Sequence, residues 1–200
     1  SHNLAWPWVP NHNAYGDVFH PVTMGSGSGS AEYLVGAPGG GRMKAILSGN
    51  LTVNGTIRSD GRNGDNNGHV TGGGAGGGVW IAMTTGGTFT GSGTVSAYGG
   101  STPTVGNDWR RAGSGSGGRI SIEGYAGASD LSSLTVIAAG GSGNQTGQTG
   151  GPGTVALRPS SQSTPNLIVD NAERPTHQHN VAILPDDAVT YNSETYTVYD

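Results

Sequence analysis

Hydrophobic and polar residues alternate in four short segments of the chain, and each segment begins with glycine. Side chains that alternate with a period of two indicate a β-strand with two different faces. The segments recur every 35 to 40 residues, at positions 41–46, 78–83, 118–123 and 153–158. This alignment predicts two inward-facing columns of side chains on neighbouring strands. The first column consists of Met43, Trp80, Ile120 and Val155, and the second of Ala45, Ala82, Ile122 and Leu157.

A second pattern follows each of these segments about 15 residues later. Residues 56–61, 94–99 and 135–140 align with one another, and 167–171 is a looser fourth copy. Upstream of the first two copies, 51–55 matches 89–93. No segment shows the apolar spacing of an amphipathic helix. The two patterns therefore predict a repeated strand–turn–strand unit and a helix content close to zero.

The repeated unit leads to a specific fold prediction. Units that bury their apolar faces on their neighbours are typical of stacked repeat proteins. We therefore predict an all-β fold, a right-handed parallel β-helix-like solenoid of three to four coils with long glycine-rich loops. The loops, at 61–78, 99–118 and 140–153, are expected to leave one side of the stack as a decorated edge or as a second glycine-rich layer. In such a layer 72–78 would run extended, with backbones close together because no Cβ intervenes.

The two ends of the chain differ from its middle. Residues 1–30 hold aromatic side chains among prolines without alternation, and we interpret them as an N-terminal cap segment. Residues 31–171 are predicted to form the glycine-rich β-solenoid repeats. Residues 172–200 place tyrosines and a valine at mostly even spacing, which predicts C-terminal closing strands or the start of a next module.

Composition excludes several classes of protein. The 200 residues include 39 glycines and no cysteine, which rules out a disulfide scaffold and a cysteine-based zinc site. No apolar run is long enough to span a bilayer. The nine lysines and arginines do not cluster, so we expect no nucleic-acid partner. Low charge together with abundant Gly, Ser, Thr and Asn predicts an extracellular or cell-surface location, although no secretion signal is visible.

Several short sequence segments, taken in their order along the chain, resemble a known family. The signals are Tyr15-Gly16, Pro21, the Gly-Ser run 25–29, and the segments 51–57, 91–100, 117–122, 153–157 and 167–171. Over about residues 15–171 this order resembles a family of very long bacterial surface proteins with glycine-rich β-solenoid repeats. The resemblance implies a cell-surface module within a larger polypeptide and attaches no catalytic motif to it. The chain departs from the family in having fewer loop glycines and in carrying Trp109-Arg110-Arg111 inside a loop.

Two groups of residues are candidate metal ligands. Asn63, Asp65 and Asn67 place oxygen atoms at alternate positions, as a calcium loop does, but no glutamate follows at the twelfth position. Asn and Asp are also the residues that ordinary turns use. His177 and His179 would lie on one face of a strand and could share a metal, or they could be a solvated pair. The sequence therefore allows calcium and requires no cofactor.

A third candidate site lies in the longest predicted loop. Trp109, Arg110 and Arg111 could bind an anionic glycan by ring stacking and bidentate hydrogen bonds. The alternative interpretation is a loop anchored by burial of the tryptophan. Asn50, Asn54 and Asn144 lie in Asn-x-Thr sequons, which only a glycosylating host would modify.

The functional expectation follows from which residues could support catalysis. Lyase or hydrolase chemistry on a β-helix needs a base or a pair of carboxylates. Among the outward strand positions only Glu123 is acidic, so we predict no enzyme and no catalytic residue. We expect a non-catalytic extracellular structural or adhesive module that assembles into a surface layer or fibre. Its partners would be other modules of a longer chain, copies of itself or a polysaccharide. The alternative is a carbohydrate-active β-helix, either a polysaccharide lyase or a glycoside hydrolase, or a glycan-binding module.

Overall fold

The computed structural model describes residues 16–30, 34–66, 70–103, 112–127, 129–143 and 149–174, together with the backbone of 197–198. This part of the chain contains β-strands and extended segments but no helix. The strands are β1 Arg42–Leu47, β2 Leu51–Thr52, β3 Thr56–Arg58, β4 Gly78–Met83, β5 Phe89–Thr90, β6 Thr94–Ser96, β7 Arg119–Tyr125, β8 Thr135–Ile137, β9 Thr154–Pro159, β10 Asn166–Val169 and β11 Thr197–Val198.

The strands form three sheets. The largest has the order β1-β4-β7-β9-β10-β11, and the other two are β2-β5 and β3-β6-β8. Both small sheets are parallel, and so are the first four strands of the large sheet. Strand β10 runs antiparallel to β9, whereas β11 is parallel to β10. The large sheet is therefore mixed.

The predicted fold class, an all-β right-handed parallel β-helix-like solenoid with long glycine-rich loops, is wrong. The protein is built instead from parallel and mixed sheets, the arrangement usual in α/β proteins, although its described part has no helix. The expected fourth copy at 167–171 does not continue the parallel series, because Leu167 pairs antiparallel with Ala156. Only residues 160–165 separate β9 from β10. A connection that short returns the chain as an antiparallel neighbour, since a parallel strand needs a longer crossover.

The strand register corrects part of the predicted inward column. Met43 is in register with Val79, Ile120 and Val155, so three of its four members were assigned correctly. The prediction for Trp80 is wrong, because Trp80 pairs with Lys44 and Ser121 on the opposite face. Ala82 is displaced in the same way, and Ile81 takes its place in the second column. A shift of one residue moves every side chain of a strand to the other face.

The other predicted alignments are confirmed. Strands β3, β6 and β8 pair in the expected register, with Thr56, Thr94 and Thr135 side by side. Strands β2 and β5 pair Leu51 with Phe89. Side chains from all three sheets meet in one core. Its buried members are Val53, Val79, Ile81, Met83, Phe89, Val95, Ala97, Ile120, Ile122, Tyr125, Ala138 and Val155.

The glycine-rich stretches form a packed layer beside the sheets, as one of the two sequence-based alternatives expected. This glycine layer consists of 25–29, 36–41, 59–64, 72–78, 97–102, 113–118, 138–142 and 150–153. Apart from Gly78, which begins β4, its residues lie in neither strands nor helices, yet the backbones of its segments are bonded to one another. An ideal Cβ on Gly74 would lie 2.1 Å from the Pro38 carbonyl oxygen, and one on Gly115 would lie 1.9 Å from the Gly74 oxygen. At these glycines the neighbouring backbone is therefore too close for a side chain.

The segment 72–78 shows how the glycine layer is bonded. The amides of Gly73 and Gly76 donate to 113–118, and those of Gly74 and Gly77 donate to 59–64. The amide of Ala75 donates to Ser26. Successive amides thus point to three different neighbours and return to the first after three residues. A period of three without internal hydrogen bonds is the geometry of a polyproline II-type helix, not of a strand, whose period is two.

Candidate functional site

A polar cleft opens where β3 and β6 run into the glycine layer. We call it the Tyr98 cleft; its volume is about 410 Å³. The lining residues are Arg58, Asp60, Gly61, Asn63, Tyr98, Gly99, Ser101 and Arg174. Most of them come from two stretches that lie side by side because β3 and β6 are paired. The pairing of these strands therefore brings the lining residues together.

A constant sequence offset links the two stretches. The Tyr98 amide donates to Asp60 Oδ1 at 2.8 Å, and the Ser101 amide donates to Asn63 Oδ1 at 2.8 Å. Both pairs are separated by 38 residues, as are the pairs in which Asn50 and Asn54 accept from backbone amides of the second repeat. Side-chain oxygens from residues 50–63 thus accept hydrogen bonds from backbone amides of residues 88–101. Asp60 and Asn63 serve this structural purpose on the floor of the cleft.

Two arginines flank the cleft. Arg58 Nε lies 3.2 Å from Asp60 Oδ2, and the Arg58 side chain is 69% exposed. The Arg174 guanidinium lies over the Tyr98 ring, 5.3 Å from its centroid, and donates through Nη1 to the Gly140 carbonyl oxygen. Both Asp60 oxygens are engaged, whereas the exposed guanidinium of Arg58 keeps donors facing solvent. Because two arginines and one aspartate line the cleft, its side chains carry a net positive charge.

The position of Arg174 depends on a tight turn after β10. Asn171 is buried, accepts from the Gly140 amide at 2.8 Å and donates to the Gly150 oxygen at 3.2 Å. The next two residues, Ala172 and Glu173, have φ values of 53° and 56°, in the left-handed region that non-glycine residues rarely adopt. Asn171 thus fastens this turn to the glycine layer and directs Arg174 towards Tyr98.

A second cluster lies on the outer face of the large sheet. Trp80 Nε1 donates to Glu123 Oε1 at 2.7 Å, and Arg158 Nη2 donates to Glu123 Oε2. The Lys44 ammonium lies 4.1 Å from the Trp80 ring centroid. The His20 ring packs edge-on against the same indole, with 4.8 Å between centroids. We call these five residues the Trp80 cluster.

The Trp80 cluster is covered by residues that precede β1. Asp17 Oδ1 accepts from the Phe19 and His20 amides, and Asp17 Oδ2 lies 3.3 Å from His20 Nδ1. Burial raises the pKa of Asp17, but the hydrogen bonds from both amides and from His20 outweigh it, so the pKa is lowered overall. Val18 is buried against Ala156. The cluster therefore fastens residues 17–20 onto the sheet.

Glu123 is the acidic strand residue on which an enzymatic interpretation would depend. Its side chain is only 14% exposed, and each of its oxygens already accepts from a neighbouring side chain. Hydrolysis of a glycoside needs two carboxylates that face a substrate. Trp80 and Arg158 each donate to one Glu123 oxygen, so this carboxylate links β4, β7 and β9 on the outer face of the sheet.

Of the predicted metal residues, the structure describes Asn63 and Asp65. Asn63 lies in the Tyr98 cleft, whereas Asp65 caps its own turn by accepting from the Asn66 amide at 2.7 Å. Thr71 closes the same turn through its hydroxyl and its amide. Within the described ranges, no three His, Cys, Asp or Glu side chains come together as metal ligands. Asn67, His177 and His179 lie outside the described residues, and so do Trp109, Arg110 and Arg111.

Sequence reasoning did not identify Arg58, Tyr98 and Arg174 as a site. The constant offset of 38 residues between Asx residues and later amides could have placed 58–63 beside 96–101. No pattern could have placed Arg174, because its position depends on the turn that Asn171 holds.

Comparison with known proteins gives no relative from which to transfer a function. No protein-family model matches the chain, and neither a curated protein nor a solved structure matches it. Among the residues that the structure describes, no helix is long and apolar enough to cross a membrane.

Proposed function

We propose that the chain is a non-catalytic structural or adhesive module of an extracellular protein. In this role it joins other modules of a longer chain, or copies of itself, into a surface layer or fibre. The glycine layer carries the proposal. Its segments are bonded to several neighbours at once, and at most of its glycines a side chain would collide with a neighbouring backbone, which suits a rigid scaffold better than an adaptable active site.

The edges of the sheets support assembly. Strands β1, β2 and β3 are each the first strand of their sheet, and all three come from residues 42–58. Side chains on this edge, such as Leu47 and Leu51, are only partly buried against the core. Parallel edges offer backbone donors and acceptors to a further strand. The opposite end of the large sheet continues instead into the antiparallel strand β10.

The orientation of β1 defines a test of assembly. The carbonyl groups of Gly41 and Leu47 face β4, where they accept from Gly78 and Thr84. The backbone groups of a strand alternate in direction, so the Ile46 amide faces away from β4. Ile46→Pro removes that donor without removing a bond to β4, and Ile46→Thr keeps it. The Ile46 side chain is 58% exposed, so neither variant disturbs the core.

Sedimentation velocity and electron microscopy over a range of concentrations measure the outcome. We expect larger species for the wild type and for Ile46→Thr, and fewer or none for Ile46→Pro at unchanged melting temperature. A wild-type chain that stays monomeric at every concentration would refute assembly of copies. Immunogold labelling of intact source cells tests the location, and label confined to the cell interior would refute an extracellular role.

A further inference from the structure

We propose that the Tyr98 cleft binds a carboxylate-bearing sugar, such as a uronate unit of an acidic polysaccharide. The inference rests on the adhesive part of the proposed function and names its ligand class. The cleft holds about 410 Å³, within the range of about 300–1,000 Å³ that is usual for small-ligand sites.

The hydrogen-bond donors and acceptors that line the cleft indicate the charge of the ligand. The Asp60 and Asn63 oxygens accept from the amides of Tyr98 and Ser101, and Asp60 Oδ2 also forms an ion pair with Arg58 Nε at 3.2 Å. The Ser101 hydroxyl oxygen accepts from the Ser142 amide at 2.9 Å, which leaves its proton to donate. The free capacity is therefore mainly that of donors on Arg58, Asn63 and Ser101. Donors in excess favour a ligand that carries acceptor oxygens and negative charge.

The charge balance distinguishes a carboxylate from a phosphate. Two arginines and one aspartate leave a charge of +1 on the lining side chains. Asp60 would repel a dianion, whereas a single carboxylate can form bidentate bonds with an arginine. The neutral donors of Asn63 and Ser101 suit the hydroxyl oxygens of a sugar, and Tyr98 adds an apolar surface. A uronate combines all three properties.

The cleft is also partly preorganised. Arg174 is held between the Gly140 carbonyl oxygen and the Tyr98 ring, and Asn171 fastens the turn that carries it. A charge that is already fixed loses little conformational entropy when the ligand binds. The Arg58 side chain, in contrast, is 69% exposed and, among the described residues, pairs only with Asp60.

The test compares binding of oligogalacturonate with binding of a neutral oligosaccharide of equal length, by isothermal titration calorimetry on the full chain. We expect the acidic ligand to bind at least about tenfold more tightly, and its affinity to fall with added salt. Arg58→Gln should weaken binding about tenfold or more. Asp60→Asn should strengthen it, because an amide still accepts from Tyr98 but no longer pairs with Arg58.

Arg42→Gln is the matched control, because Arg42 lies on β1 and donates to the Val22 oxygen, outside the cleft. It removes the same charge and should leave binding unchanged. Equal weakening by Arg42→Gln and Arg58→Gln, equal affinity for the neutral sugar, or no binding of the acidic one would each overturn the proposal. Binding by calorimetry and assembly by sedimentation are separate readouts, so a failed binding test leaves the structural role standing, and failed assembly leaves the binding result standing.

Discussion

Replacing Gly115 by alanine tests whether the glycine layer holds the molecule together. The new Cβ would lie 1.9 Å from the Gly74 oxygen, whereas ordinary contact begins at 3.4 Å. The segment 113–118 would therefore have to move about 1.5 Å from its neighbour 72–78. Gly113 is the control, because a Cβ there meets nothing within 4 Å. Neither glycine has a positive φ, so alanine is compatible with both backbones.

The cost follows from the hydrogen bonds that such a movement would break. Two bonds join the segments directly, from the Gly73 amide to Gly113 at 3.1 Å and from the Gly76 amide to Ser116 at 2.9 Å. A buried donor left without a partner costs about 1–3 kcal/mol. Alanine offsets about 0.4–1 kcal/mol of this cost, because it lowers the conformational entropy of the unfolded chain. We expect Gly115→Ala to lower the free energy of unfolding by about 3 kcal/mol, and Gly113→Ala to raise it by up to about 1 kcal/mol.

Urea denaturation followed by circular dichroism measures both variants. A loss of about 3 kcal/mol is a large part of the 5–15 kcal/mol that stabilises a typical domain. In a chain of this length it corresponds to a fall in melting temperature of roughly 6–12 °C. If the two variants differed by less than about 0.5 kcal/mol, the range usual for a surface substitution, the close backbone contacts would not exist in solution.

Two further predictions concern single side chains, and a third concerns calcium. Asn171→Ala should lower the free energy of unfolding by about 2–4 kcal/mol in urea denaturation, because the Gly140 amide and the Gly150 oxygen lose their buried partner; an effect below 1 kcal/mol would argue against this cap. The pKa of Asp17 is lower in the folded state than its ordinary value of 3.8, so its stabilising effect should be complete above that pH and be lost as the pH falls through the folded pKa. The stability difference between the wild type and Asp17→Asn should therefore vanish in strong acid, and a difference that grew there would reverse the sign of this argument. Removal of calcium by a chelator should leave the melting temperature unchanged, because Asp65 Oδ1 and Asn63 Oδ1 already accept from amides; a clear fall would indicate a calcium site.

The Trp80 cluster illustrates how one residue of register changes a functional interpretation. With Trp80 in the core, Glu123 would stand alone on the outer face as an available carboxylate. With Trp80 on the outer face, the indole donates to Glu123 and supports His20. The cluster then attaches residues 17–20 to the sheet, and Glu123 is held between Trp80 and Arg158.

The alternation of side chains determined where most strands lie. The matching patterns Thr-Ile-Arg, Thr-Val-Ser and Thr-Val-Ile determined how β3, β6 and β8 pair. These features are local, because a strand with one buried face must alternate. The glycine-rich loops also allowed a close-packed backbone layer, as one of two alternatives that the sequence left open. Sequence could not define the register of β4, since the run 72–78 contains only glycine and one alanine and fits equally well when shifted by one residue.

Only the tertiary structure decided which charged groups meet. Arg58 and Tyr98 become neighbours through the pairing of β3 with β6, and Arg174 joins them because β10 turns back antiparallel and Asn171 fastens the next turn to the glycine layer. Side-chain periodicity reports burial along one strand, whereas strand direction and the contacts between distant segments depend on connection length and on packing across the whole fold.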